Sequence, residues 1–176
     1  MPNAAQPIAV YAMCGLAFSG KSTAAKVIAG ALGVALIVLD AINHERGLHG
    51  GDGLTIAQWE ETSFMAMDRT RAFLKAGRSV VVDDTFSHRH LRDRCKGVAE
   101  ETRARFVIIY IDTPLDVIQA RRRQNEVNPT RDYLRDPVFD WHYKNFQYPT
   151  DDEPLVRIGS DQELTAWIAA EKAKSR

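Results

Sequence analysis

Residues Gly15 to Ser22 read GLAFSGKS, and the reading of the whole chain grows from this octet. It meets the spacing G-x-x-x-x-G-K-[ST] of a phosphate-binding loop. An apolar run precedes it, Ile8-Ala9-Val10-Tyr11-Ala12-Met13-Cys14, and a helix-forming run follows it, Thr23-Ala24-Ala25-Lys26-Val27-Ile28-Ala29. Strand, tight loop and helix are the context this spacing requires. Glycine lets the backbone curl so that successive N–H groups converge on phosphate oxygens, and the helix adds the positive end of its dipole. The expected nucleotide-binding set is therefore Gly15, Ala17, Phe18, Ser19, Gly20, Lys21, Ser22 and Thr23. Lys21 is expected to reach the β- and γ-phosphates as a point charge, and Ser22 to place its hydroxyl on Mg²⁺.

Working outward, apolar runs alternate with helical segments. Val34–Leu39 reads as a second strand ending at Asp40, Ser79–Asp83 as a third, Phe106–Ile111 as a fourth and Leu155–Ile158 as a fifth. Between them, helices are expected from Thr23 to Gly30 with a stop near Gly33, from Ile56 to Ala76 behind an N-cap at Thr55, from His88 to Arg103, from Pro114 to Gln124, and from Asp161 to Lys172. His49–Gly53 reads as a loop. Near-continuous apolar strands alternating with helices imply an α/β fold with a parallel sheet covered on both faces.

The chain has 176 residues, 45% hydrophobic and 26% charged, which suits one globular domain spanning 1–176. Formal net charge is zero, from 23 basic and 23 acidic residues, so overall charge gives no long-range attraction to nucleic acid. No run approaches the roughly 18–20 apolar residues of a membrane span. The start of the chain does not resemble a signal peptide, and two cysteines without a CxxC pair suit a reducing cytoplasm. Cys14 reads as a buried strand-end thiol. The five histidines show no zinc-ligand spacing, so no zinc site is expected. Trp59, Phe64, Met65 and Phe73 recur at helical intervals and read mainly as core, with Trp59 and Phe64 also placed to line an acceptor pocket.

Ligands in such sheets bind beyond the carboxyl ends of the strands, so the residues there are the candidates for chemistry. Asp40 is placed to accept the proton of an attacking hydroxyl, and equally to cap a helix or hold Mg²⁺ through water. Asp83 and Asp84 follow three valines; one carboxylate there suits water-mediated Mg²⁺ binding, and the other is a solvated turn residue or a substrate contact. Arg121, Arg122 and Arg123 open a polar stretch through Arg131 that suits a closing lid, about 121–136. One arginine from it would neutralise charge on a transferred phosphoryl group, the remainder being a solvated face.

Together these residues resemble the group of phosphate-loop kinases that includes polynucleotide 5′-hydroxyl kinases, chloramphenicol phosphotransferase and zeta toxins. The resemblance runs from Gly15 to about Ile158. It implies a P-loop NTPase three-layer sandwich with a five-stranded parallel sheet and a helical lid. Asp40 stands where the group carries its proposed base. Asp83-Asp84-Thr85-Phe86 with Arg92 is similar to the group's D-T-N stretch and downstream arginine, with Phe86 in the place of the asparagine. Asp112-Thr113-Pro114 with Arg121 resembles the start of the lid helix, and the transition-state arginine carries over to Arg121, with Arg123 and Arg131 as second choices. Phe146-Gln147-Tyr148-Pro149 with Glu153 resembles a segment near the adenine, which adds Pro149 to the nucleotide set. Asn43 stands where nucleic-acid kinases of the group often carry an arginine.

The resemblance implies an ATP- and Mg²⁺-dependent kinase with Lys21, Asp40 and Arg121 as catalytic residues. Asp40, Asn43, Asp84, Thr85 and Arg92 are the expected acceptor contacts, and Ser22 and Asp83 the metal contacts. A small-molecule hydroxyl is the expected acceptor. A polynucleotide 5′-hydroxyl kinase and a regulatory nucleotide-binding ATPase are the alternative readings.

Overall fold

The computed structural model describes residues 8–49, 53–131 and 134–174. The N-terminal stretch read for a signal peptide, the middle of the 49–53 loop and positions 132–133 of the expected lid lie outside these residues. Five strands, β1 (Ala9–Cys14), β2 (Ala35–Val38), β3 (Val80–Asp83), β4 (Arg105–Ile111) and β5 (Leu155–Ile158), form one sheet in the order β2-β3-β1-β4-β5. Every pairing is parallel. The chain steps from β1 outward to β2, returns to place β3 between them, and then crosses to the other side of β1. The strand order therefore reverses at β1, which is where an open parallel sheet leaves a crevice at its carboxyl edge.

Side chains alternate across a strand, and β1 feeds two cores accordingly. Val10, Ala12 and Cys14 pack with Ala66, Leu74, Cys95, Val98 and Ala99, which come from helices α3 (Ile56–Lys75) and α4 (Arg89–Glu101). Ala9, Tyr11 and Met13 pack on the opposite face with Ala25, Ile28, Leu164 and Ile168, from helices α1 (Lys21–Leu32) and α7 (Asp161–Ala173). Helix, sheet and helix make the three expected layers. All six residues of β1 are buried, which explains why the strand reads as an unbroken apolar run. The Tyr11 hydroxyl donates to Glu171 Oε1 at 2.8 Å, tying the first strand to the last helix.

Local signals place most boundaries. Thr55 accepts from Gln58 N while the Gln58 side chain returns to the Thr55 N–H, a complete capping box at the start of α3. Gly33 closes α1 in the left-handed region at φ 66°. Two elements depart from the sequence reading. The second strand ends at Val38, and a short helix, α2 (Leu39–Glu45), begins at once. Asp40 therefore lies in the first turn of a helix rather than at a strand end. Beyond helix α5 (Leu115–Val127), which takes in the first part of the expected lid, a further helix that the sequence reading lacks, α6 (Asp136–Asn145), begins at the lid's last position. Its Phe139 is buried in the core, under the Arg122 guanidinium, 4.0 Å from the ring centroid. Phe64, read mainly as core, is exposed and lies under the Arg94 guanidinium at 4.3 Å.

Candidate active site

The phosphate loop spans the end of β1 and the first turn of α1, and its backbone is built for tight curvature. Gly15 takes φ 148° and Gly20 φ 99°. A Cβ on Gly15 would come to 3.0 Å from Ile111 O and from Ser19 Oγ; one on Gly20 would meet Arg121 Nη1 at 3.3 Å. Phe18 also sits in the left-handed region, at φ 65°, a conformation costing a side-chain-bearing residue on the order of 1–2 kcal/mol. Its ring lies under the Arg131 guanidinium at 4.5 Å. The Gly15 N–H donates to Thr85 O at 3.2 Å, joining the loop to the end of β3.

Lys21 is buried, and its Nζ donates to Leu16 O at 3.1 Å. Burial pulls its pKa down, while the carboxylate of Asp83 pushes it back up. Asp83, also buried, accepts a hydrogen bond from the Ser22 hydroxyl; burial raises its pKa, and Lys21 and Ser22 lower it. Ser22 and Asp83 thus form the hydroxyl–carboxylate pair that suits Mg²⁺ held mainly by water and phosphate oxygens. Among the described residues no set of three or more His, Cys, Asp or Glu side chains makes a cage of direct metal ligands.

Asp84 is half-buried just past the strand, where the strict alternation of β3 has ended, so both aspartates feel Lys21. Burial pushes the Asp84 carboxyl up to about 6, with Lys21 opposing and Asp83 and Asp40 reinforcing the rise. The exposed Asp40, in the first turn of α2, lies within electrostatic reach of Asp83 and Asp84.

From α5 and the turn before it, Arg121 Nη1 donates to Phe18 O at 3.1 Å and Ser19 O at 2.9 Å, and Thr113 Oγ donates to Ser19 O at 2.7 Å. Arg121 and Arg131 both lie on the loop. Arg122 instead pairs with Asp136 at 2.5 Å, and Arg123 is exposed.

A family model described as an AAA domain matches residues 10–149, about four-fifths of the sequence. The chain belongs to this AAA domain family. Among solved structures, the AAA domain is similar to a protein from Chloroflexus aurantiacus described as a candidate kinase (16% identity, 97% of this chain and 100% of that one, TM-score 0.77). It is also similar to Kti12 of Chaetomium thermophilum in complex with ADP-AlF3 (11% identity, 95% and 99%, TM-score 0.76). A third is the APS kinase CysC of Mycobacterium tuberculosis in complex with AMPPNP and APS (18% identity, 96% and 97%, TM-score 0.67). At these identities the likeness establishes the fold, a P-loop kinase-like α/β sandwich. No curated protein sequence matches the chain.

Two of the residues expected to touch an acceptor do structural work in this AAA domain. Arg92 is 1% exposed and clamps Glu153 with two N–H groups, at 2.7 and 3.0 Å, while its Nη1 donates to Phe86 O and Gln147 O. These bonds turn the guanidinium inward, because the 146–153 segment needs a buried anchor. Asn43 is likewise buried, with its Oδ1 accepting from the Thr62 hydroxyl, and holds α2 against α3. Pro149 is buried in the segment fixed by Arg92 and by the bond from Gln147 N to Ser87 O. Thr85 is half-buried, and Ala17 is buried beneath the loop.

One residue had no role in the sequence reading. His142 of α6 lies within electrostatic reach of Lys21 and His88, and burial, helped by their charges, lowers its pKa to about 4. Periodicity could not reveal it, since α6 itself was not legible. Cys14 is buried with its thiol pushed up to about 12, in keeping with its reading as core.

Proposed function

We propose that this AAA domain is an ATP-dependent phosphotransferase that moves the γ-phosphoryl group to a hydroxyl of a small molecule. One observation carries the proposal: Lys21, the Ser22–Asp83 pair, Arg121 and the Asp40/Asp84 rim converge at the carboxyl edge of β1 and β3. Binding phosphate alone does not call for carboxylates beyond the Ser22–Asp83 pair, whereas a site that activates an alcohol does.

In this reading the loop N–H groups of Gly15–Thr23 hold the phosphate tail and Lys21 reaches its outer oxygens. Ser22 and Asp83 would hold Mg²⁺, which would supply charge neutralisation on the phosphates. Asp40 takes the proton of the acceptor hydroxyl. The alcohol oxygen forms a bond to the γ-phosphorus as the bond to the β-bridging oxygen breaks, and ADP leaves with the electron pair. Arg121, already on the loop, neutralises the phosphoryl oxygens. Residues 1–176 act as one kinase domain, with about 121–136 closing over the site to exclude water, and the cytoplasm as its compartment.

The test is ATP consumption across hydroxylated small molecules, with Asp40→Asn as the control. Acceptor-dependent ADP release that disappears in Asp40→Asn, while ATP binding persists, supports the proposal. ADP release indifferent to every acceptor favours a nucleotide-driven switch.

A further inference from the structure

One peptide group of the phosphate loop, between Ser19 and Gly20, is held from outside the loop. Ser19 O accepts from the Thr113 hydroxyl at 2.7 Å and from Arg121 Nη1 at 2.9 Å. A trans peptide is planar, with its C=O and N–H on opposite sides. Holding Ser19 O towards the start of α5 therefore turns the Gly20 N–H away from α5. The Gly15 and Ser19 N–H groups are spent within the protein, on Thr85 O and Leu16 O. The Gly20 N–H donates to no acceptor among the described residues, and it stands at the N-cap of α1, next to Lys21.

Nothing within the loop fixes this plane. Gly20 takes φ 99°, and a glycine moves between positive and negative φ at little cost. Ser19 is 2% exposed, yet its Oγ has no partner among the described residues, so its own side chain supplies no tether. Arg121 is a long, exposed side chain whose Nη1 also serves Phe18 O, and holding it still costs conformational entropy. Thr113 is the stiffer tether. It is β-branched, half-buried and followed by Pro114, which confines the Thr113 backbone to extended conformations.

We infer that Thr113 is a positioning residue for the nucleotide phosphates. Its hydroxyl sets the Ser19–Gly20 peptide so that the Gly20 N–H faces the phosphates before they arrive. It keeps the peptide set when Arg121 turns its Nε and Nη2 donors to the phosphoryl group. This deepens the phosphotransferase reading and rests on it for the ligand, a nucleotide tail held by the loop.

The test is calorimetric binding of Mg·ATP and Mg·ADP, with thermal melts and the Gly20 amide followed in ¹H–¹⁵N spectra. Thr113→Val keeps the shape of the side chain and removes the hydroxyl. It is expected to weaken both nucleotides roughly threefold to tenfold, the range for one hydrogen bond, and to shrink the shift of the Gly20 amide on ADP binding. Thr113→Ser is expected to bind as the parent does. Parent-like binding and an undiminished Gly20 shift in Thr113→Val overturn the inference and leave the kinase reading standing. Equal weakening in Thr113→Ser and Thr113→Val also overturns it, because the lost methyl and not the hydroxyl would then be at work. In the parent, an ADP complex that leaves the Gly20 amide resonance unmoved overturns it without any variant. Binding that depends on the hydroxyl, with no alcohol ever phosphorylated, supports the inference and removes the phosphotransferase reading. A parent that binds neither nucleotide overturns both.

Discussion

Arg92 and Glu153 are 61 residues apart in sequence and form a two-pronged ion pair inside the protein, both side chains at most 4% exposed. The same guanidinium holds Phe86 O and Gln147 O, so one side chain fixes the β3–α4 junction and the segment leading to β5. Removing one partner of a buried pair strands the other charge, which costs about 3–5 kcal/mol. Arg92→Ala and Glu153→Ala are each expected to lose about that much stability in urea titrations, and the double variant less than their sum. Additive losses would mean that the two side chains do not act as a pair.

Lys21 and Asp40 are expected to separate binding from chemistry. Lys21→Ala should abolish both Mg·ATP binding by calorimetry and phosphoryl transfer. Asp40→Asn should keep ATP affinity within about threefold and lower kcat by roughly 100- to 10,000-fold, the range for a positioned general base. Normal turnover in Asp40→Asn would assign the base elsewhere.

Arg121 donates to the carbonyls of Phe18 and Ser19, within reach of a phosphoryl group on the loop. Arg121→Ala is expected to lower kcat by roughly 1,000-fold or more, as for arginines that neutralise phosphoryl transfer. Arg122→Ala should instead lower stability, because Arg122 pairs with Asp136 and covers Phe139. Single-turnover kinetics and thermal melts distinguish the two.

Acid sensitivity should trace in part to His142, whose folded pKa of about 4 lies below its ordinary 6.5, chiefly through burial. The neutral ring is favoured in the folded state, so this stability is fully present above pH 6.5. It is lost as pH falls from 6.5 through 4, by no more than about 3 kcal/mol. His142→Phe should flatten stability across that window in urea melts at a series of pH values. An unchanged slope would assign the proton uptake to other groups.

Both thiols should be silent in the native protein. Cys14 and Cys95 are buried and burial raises both pKa values, which suppresses the reactive thiolate. A thiol reagent should label neither until denaturant is added.

The phosphate loop, the five strands and most helices were legible because their signals are local. GLAFSGKS sets its own turn, β1 is a continuous apolar run, and Thr55 with Gln58 marks a helix start. The junction at Leu39 was not, since Val34–Leu39 has no polar break where β2 gives way to α2. Nor was α6, whose packing depends on Phe139 reaching a core built by distant segments. At the site, the octet marked Lys21 and Ser22 as candidates and the end of the third apolar run marked Asp83, and the structure brings the three together. The inward ties of Arg92 and Asn43 were not legible, because a resemblance of motif says nothing of distant partners, and Glu153 and Thr62 are brought to them by the tertiary fold.

The bond from Tyr11 to Glu171 spans 160 residues, with a consequence for synthesis. β1 is made well before α7, which joins α1 in covering one of its faces. At typical elongation rates that interval is on the order of ten seconds or more. The nascent chain therefore carries its central strand only partly covered throughout that interval, a window in which a chaperone would find its binding surface.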